Sequence, residues 1–166
     1  CGLGSAEITG ADDLTLAAYA FNSAPGLTNV VLKAPFLAVL PAYCFLSATG
    51  LVNCVIAAPR LKEIGAFAFS GCSRMTNDAA QVVPSSVTNI GYQAFRSCSE
   101  MRGVLDLPHA TVFGCYAFLG CQKIRELRLT APDLSSLDAN EGSDGIFSYM
   151  SSLESLTIGS TNLASV

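Results

Sequence analysis

The side chains that could do chemistry are few. The chain has seven cysteines, at positions 1, 44, 54, 72, 98, 115 and 121, and a single histidine, His109. A cysteine or serine nucleophile needs a base within reach, and His109 follows Pro108 at a connection, where it reads as an exposed turn residue. A structural zinc site takes four Cys or His ligands in close pairs, and the sequence contains no C-x-x-C. An odd number of cysteines also leaves at least one outside any disulfide framework. The densest acidic stretch runs from Asp133 to Asp144 and includes DANEGSDG (138–145). Read as a calcium loop, it has Gly142 where Asp or Asn is needed and Tyr149 where the bidentate Glu belongs. It therefore reads as a polar loop. Lys123, Arg125 and Arg128 lie close together around Glu126, with Arg96 and Arg102 one repeat earlier, and read as a mixed, solvated surface. No phosphate-cradling glycine loop is present. We therefore expect no catalytic, cofactor or metal site, and a non-enzymatic protein.

Composition narrows the classes further. Among 166 residues, 51% are apolar and 13% charged, with a net charge of −4 and a mean hydropathy of +0.45. This excludes intrinsic disorder, which requires few apolar groups, and argues against a basic nucleic-acid-binding surface. The most apolar stretch, Val30 to Leu46, contains Lys33, Pro35 and Pro41 and is too short for a membrane span. So many apolar side chains need another place of burial.

That place is a repeat. Six segments align without gaps: AYAFNSAPGL (18–27), AYCFLSATGL (42–51), AFAFSGCSRM (66–75), YQAFRSCSEM (92–101), CYAFLGCQKI (115–124) and DGIFSYMSSL (144–153). Their anchor phenylalanines, at 21, 45, 69, 95, 118 and 147, are 24, 24, 26, 23 and 29 residues apart. Three residues after Phe comes Ala24, Ala48, Cys72, Cys98, Cys121 or Met150; six after comes Leu27, Leu51, Met75, Met101, Ile124 or Leu153. Short β-like pieces follow at 30–32, 54–56, 104–107, 127–129 and 156–158, with a looser AAQVV (79–83) in the third repeat. Pro35, Pro59, Pro84, Pro108 and Pro132 come next, then a second apolar pair: Leu37/Leu40, Leu61/Ile64, Val87/Ile90, Ala110/Phe113 and Leu134/Leu137. Gly65, Gly91 and Gly114 follow in three repeats, where a turn suits glycine.

One such unit cannot bury its apolar side alone, but a stack of units shares one continuous core. The expected fold is an α/β-repeat solenoid: about six repeats of 23–29 residues form one domain over 1–166, with short parallel strands on one face and short helical or irregular turns on the other. The cysteines then become core packing, with Cys72, Cys98 and Cys121 in one interior column, Cys44 before an anchor Phe, Cys54 at an inward strand position, and only Cys1 outside the ladder. Alternation along each strand places Val30 and Leu32 inward and Val31 outward. The outward column is Val31, Val55, Asp106, Arg128 and Thr157, with Gln81 or Val83 from the loose third repeat. This column is the candidate partner-binding face.

The repeats resemble the BspA-type (Treponema-type) leucine-rich repeat, whose unit reads roughly I-G-x-x-A-F-x-x-C-x-x-L-x-x-I-x-I-P. VTNIGYQAFRSCSEMRGVLDLP (87–108) looks like one copy and LKEIGAFAFSGCSRM (61–75) is as close, while the first, second and sixth repeats replace the column Cys by Ala or Met. The resemblance spans about Ile8 to Val166. It implies an arc of parallel strands. It also implies the habitat of such repeats, surface and secreted proteins of host-associated bacteria and some protists, several of them implicated in adhesion.

The expected function is thus a cell-surface or extracellular recognition module that binds a protein or glycan, including host extracellular protein, through its strand face, with no nucleic acid and no membrane span. The alternative is a structural spacer or stalk. Both ends are cut inside the pattern, since Ile8 corresponds to Leu32 and Leu163/Val166 to Leu134/Leu137, which suits a piece of a longer array or end-to-end contact. The start CGLGS also matches a lipid-bearing Cys1 at the head of a mature bacterial lipoprotein.

Overall fold

In the computed structural model of the chain, the described residues are 4–10, 14–134, 137 and 145–159. They form a parallel β-solenoid. The strands of its wide row are β1 (Ser5–Thr9), β2 (Asn29–Lys33) and, after the two-residue β3 (Val39–Leu40), β4 (Asn53–Ala57). Next come β5 (Glu63–Ile64), α1 (Ala79–Val82), β6 (Asn89–Ile90), β7 (Arg102–Asp106), β8 (Val112–Phe113), β9 (Lys123–Leu129) and β10 (Ser155–Ile158). The wide row is two parallel sheets, β1-β2-β4 and β7-β9-β10; the narrow row is one sheet, β3-β5-β6-β8. Two-residue strands survive because each lies between covalently linked turns that already hold it in register.

The second apolar pair of each repeat explains the narrow row. Leu40, Ile64, Ile90 and Phe113 are paired in sequence across the four strands. Between the wide strands and the preceding narrow ones runs the turn that carries the anchor Phe. Here the six rings form one stack, with centroids 5.1, 5.0, 5.2, 5.2 and 5.7 Å apart and planes within 13° of parallel. Phe45, Phe69, Phe95 and Phe118 are fully buried. Stacked rings at this spacing add attraction beyond the apolar area they hide.

The turns hold together through a backbone ladder of their own. Phe45 N donates to Ala68 O (2.7 Å), Phe69 N to Ala94 O (2.7 Å) and Phe95 N to Ala117 O (2.8 Å), and the residues two before and two after each Phe do the same. To aim these N–H groups along the axis, the residues two before Phe (Tyr19, Tyr43, Phe67, Gln93, Tyr116) adopt φ between 52° and 62°. Bulky residues rarely tolerate that region; here the inter-turn bonds offset the strain. Gly65, Gly91 and Gly114 have a different cause from the turn geometry expected of them. A Cβ on Gly91 would lie 2.5 Å from Ala66 N, and one on Gly114 2.2 Å from Tyr92 N, so close approach of successive turns excludes any side chain.

The third repeat departs from the expected layout. The helix found among the described residues, α1, lies in the strand row itself rather than opposite it, and it separates the two wide sheets. Asp78 caps it, its side chain accepting from Ala80 N at 3.1 Å. Asn77 replaces the missing strand contacts. It is buried, its Oδ1 accepts from Cys54 N, and its Nδ2 donates to Asn53 Oδ1 (2.7 Å) and Gln81 Oε1 (3.1 Å). Sequence could not show that one side chain would stand in for a ladder.

Candidate functional site

The strand register places most of the outward column where alternation puts it. Val31 pairs with Val55, Asp106 with Arg128, and Thr157 with Arg128. Val30, Leu32 and Cys54 are buried beneath them, Val31, Val55 and Asp106 are partly exposed, and Arg128 and Thr157 are exposed. The column also starts one strand earlier than expected: Glu7 pairs with Val31, and its Oε1 meets Lys33 Nζ at 2.6 Å. The equivalence of Ile8 with Leu32, present in the sequence and in the register, already implied Glu7 there.

Gln81 is the correction. It does not belong to the strand column, because AAQVV is helical; it sits exposed on α1 and accepts from Asn77. Val83 is buried at the helix end. The column is therefore two patches rather than one line. An apolar pair, Val31 and Val55, beside Glu7 and Lys33, lies on one side of α1. A polar group, Asp106, Arg128 and Thr157, lies on the other, with Arg128 Nε donating to Glu126 Oε1 at 2.7 Å.

The cysteines are packed as expected, with one exception and one addition. Cys44, Cys54, Cys72, Cys98 and Cys121 are free and buried, whereas Cys115, three residues before its anchor Phe, is only partly buried, so Cys1 is not alone in lying outside the buried columns. The addition is directional: the thiols of Cys72, Cys98 and Cys121 donate to the carbonyls of Phe45, Phe69 and Phe95 at 3.1, 3.1 and 3.2 Å. Each column Cys thus links its turn to the previous one. Burial pushes the Cys44, Cys72 and Cys121 thiols up to about 12 and also raises those of Cys54 and Cys98. These groups stay protonated donors, the opposite of what a nucleophile or metal ligand needs. Cys1 lies outside the described residues, as does most of the acidic stretch.

His109 lines an open cleft with Lys62, Thr88, Thr111 and Asp133. Among the described residues, no three His, Cys, Asp or Glu side chains gather as a metal-binding group. No helix of the described residues is long and apolar enough to cross a membrane.

A second aromatic file escaped sequence reading. Tyr19, Tyr43 and Phe67 stack at 4.6 and 5.1 Å outside the buried phenylalanines, then turn edge-on at Tyr92 and Tyr116. The signal was present, since AYAF, AYCF, AFAF and CYAF share an aromatic two residues before the anchor. The turn edge-on follows from YQAF, where Gln93 takes that left-handed position and Tyr92 moves one residue back.

With this geometry in place, comparison with known proteins is direct. Residues 14–141 and 80–166 match the BspA type leucine rich repeat region, in six copies. The crystal structure of the T. pallidum leucine rich repeat protein superposes with a TM-score of 0.78 at 23% identity, covering 95% of this chain and 71% of that one. A leucine-rich repeat protein from Bacteroides ovatus superposes at 0.70 with 21% identity, over 90% of this chain and 39% of its own. No curated protein matches the sequence. The repeat-bearing residues, the stacked turns and the match across nearly the whole length agree: the chain belongs to the BspA-type leucine-rich-repeat family.

Proposed function

We propose that this domain is a non-covalent recognition module, displayed outside the cell, that binds a protein or glycan partner through the wide-strand face and its adjoining loops. A repeat-built interaction module is the general role the family supports. The observation that carries the sharper reading is the outward column. Val31 and Val55 stand side by side, in register, partly exposed on a face whose neighbours are charged. Apolar side chains kept at the surface of a rigid parallel sheet, flanked by Glu7 and Lys33 and with Asp106 and Arg128 beyond α1, suit a partner that covers the pair and reaches the charged groups around it. A solenoid presents such a face without reorganising, so little ordering entropy opposes binding. The family match supports surface display.

The test is binding of the purified domain to immobilised matrix proteins, plasma glycoproteins and mucin, beside a variant carrying Val31→Asn, Val55→Asn and Arg128→Glu. Saturable binding that weakens at least about tenfold in the folded variant is expected. A partner bound equally well by both would overturn the site; a folded domain that binds none would favour the spacer role.

A further inference from the structure

We infer that the break in the wide-strand row is an anion-binding cleft that takes carboxylates from an acidic segment of a protein partner; this rests on the recognition reading and names its ligand chemistry. Three departures from the regular repeat meet at this one place. First, α1 replaces a strand, so on that side β7 meets a single bridge, Asp78 with Arg102, instead of a whole strand. Second, Gly103 adopts φ +86°, and a Cβ there would fall 2.3 Å from Asp78 Oδ2, so the Asp78 carboxylate lies directly over it. Third, the β7–β9 register slips at that glycine. Gly103 opposes Ile124 and Val104 opposes Glu126, which leaves Arg125 unopposed. A bulge of this kind re-aims the extra side chain.

The result is an open cleft of about 540 Å³ lined by Asp78, Arg102, Gly103, Lys123, Arg125 and Ser152. Three cations converge on it from two strands. Glu100 is already held between two of them, 2.6 Å from Lys123 Nζ and 3.8 Å from an Arg102 guanidinium nitrogen. Among the described residues Arg125 is in no ion pair, and it is exposed. The chain's own carboxylate therefore shows the chemistry that fits, and guanidinium forks match carboxylates in plane. Three cations against Asp78 and Glu100 leave a small excess of positive charge. That suits one or two carboxylates of a peptide better than the dense charge of a sulfated polysaccharide.

The experiment is fluorescence anisotropy of a labelled oligo-glutamate peptide titrated with the domain at low salt, with a sulfated oligosaccharide as the second arm. Saturable peptide binding is expected, weakened about tenfold or more by Arg125→Glu or Lys123→Glu, while Lys62→Glu on the narrow-strand side changes it less than about twofold. Circular dichroism checks folding, and Arg125→Gln replaces any reversal that fails to fold. No peptide binding, equal loss from Lys62→Glu, or tighter binding of the sulfated arm would overturn the cleft. If a natural partner is lost on mutating Val31 and Val55 but not Arg125, the recognition reading stands and only the cleft fails.

Discussion

Truncating Phe95 probes the whole architecture. Its ring is fully buried, with Phe69 on one side and Phe118 on the other, each 5.2 Å away and within 10° of parallel. Replacing a buried Phe by Ala costs about 3–5 kcal/mol through lost transfer energy and a residual cavity. Here two stacked neighbours lose their partner at once, and covalent turns above and below prevent collapse. The cost should fall in the upper half of that range, about 4–5 kcal/mol. Phe21 is the internal comparison, because it is only partly buried and, among the described residues, stacks on Phe45 alone, at 5.1 Å. Phe21→Ala should cost about 1–2 kcal/mol. The assay is urea unfolding followed by far-ultraviolet circular dichroism, with the slope compared between variants so that a midpoint shift reports stability. A double-mutant cycle of Phe95 with Phe118 should give a coupling of about 0.5–1.5 kcal/mol. Phe95 with Phe45, one ring removed, should give almost none. Equal costs at Phe95 and Phe21, or less than about 1 kcal/mol at Phe95, would refute the stacked-column account.

Two further outcomes follow from the polar parts of the core. Burial raises the Cys44, Cys72 and Cys121 thiols from 9.0 to about 12, so above pH 9 the unfolded chain loses protons that the native state keeps. Their contribution is therefore complete below pH 9 and is lost as pH rises toward 12, at about 1.4 kcal/mol per thiol per pH unit. Denaturant unfolding between pH 7 and 11 should be flat at first and then fall steeply, and a flat profile throughout would contradict the buried-thiol column. Asn77→Ala should cost about 2–4 kcal/mol, because it leaves the Cys54 N–H without its acceptor in a buried site. A thermal or urea midpoint equal to that of the parent would mean that Asn77 does not substitute for the missing strand.

Much of the fold was legible because a solenoid writes its packing into the sequence at fixed spacing. Each anchor Phe, each Cys of the interior column and each inward strand residue meets its own equivalent one repeat away. One alignment of the chain against itself therefore predicts contacts that an ordinary globular sequence would hide. Val31 beside Val55 and Asp106 beside Arg128 came from that logic alone. The glycines were legible as to place but not as to cause, because the distance from Gly91 to Ala66 N is set by how tightly neighbouring turns nest.

The residue sequence by itself determined the period, the buried columns and which face of each strand looks outward, since these depend only on side-chain chemistry repeating in step. Tertiary structure alone decided what happens where the period fails. AAQVV carries the apolar content of a strand, yet it coils into α1, where Asn77 satisfies β4 through its side chain and Asp78 caps the turn. From that one substitution follow the covered Gly103, the slipped register and the unopposed Arg125, each a response to space and hydrogen bonds supplied by other repeats. No local propensity carries that information, because the partners involved lie 23–25 residues apart along the chain and meet only once the stack is formed.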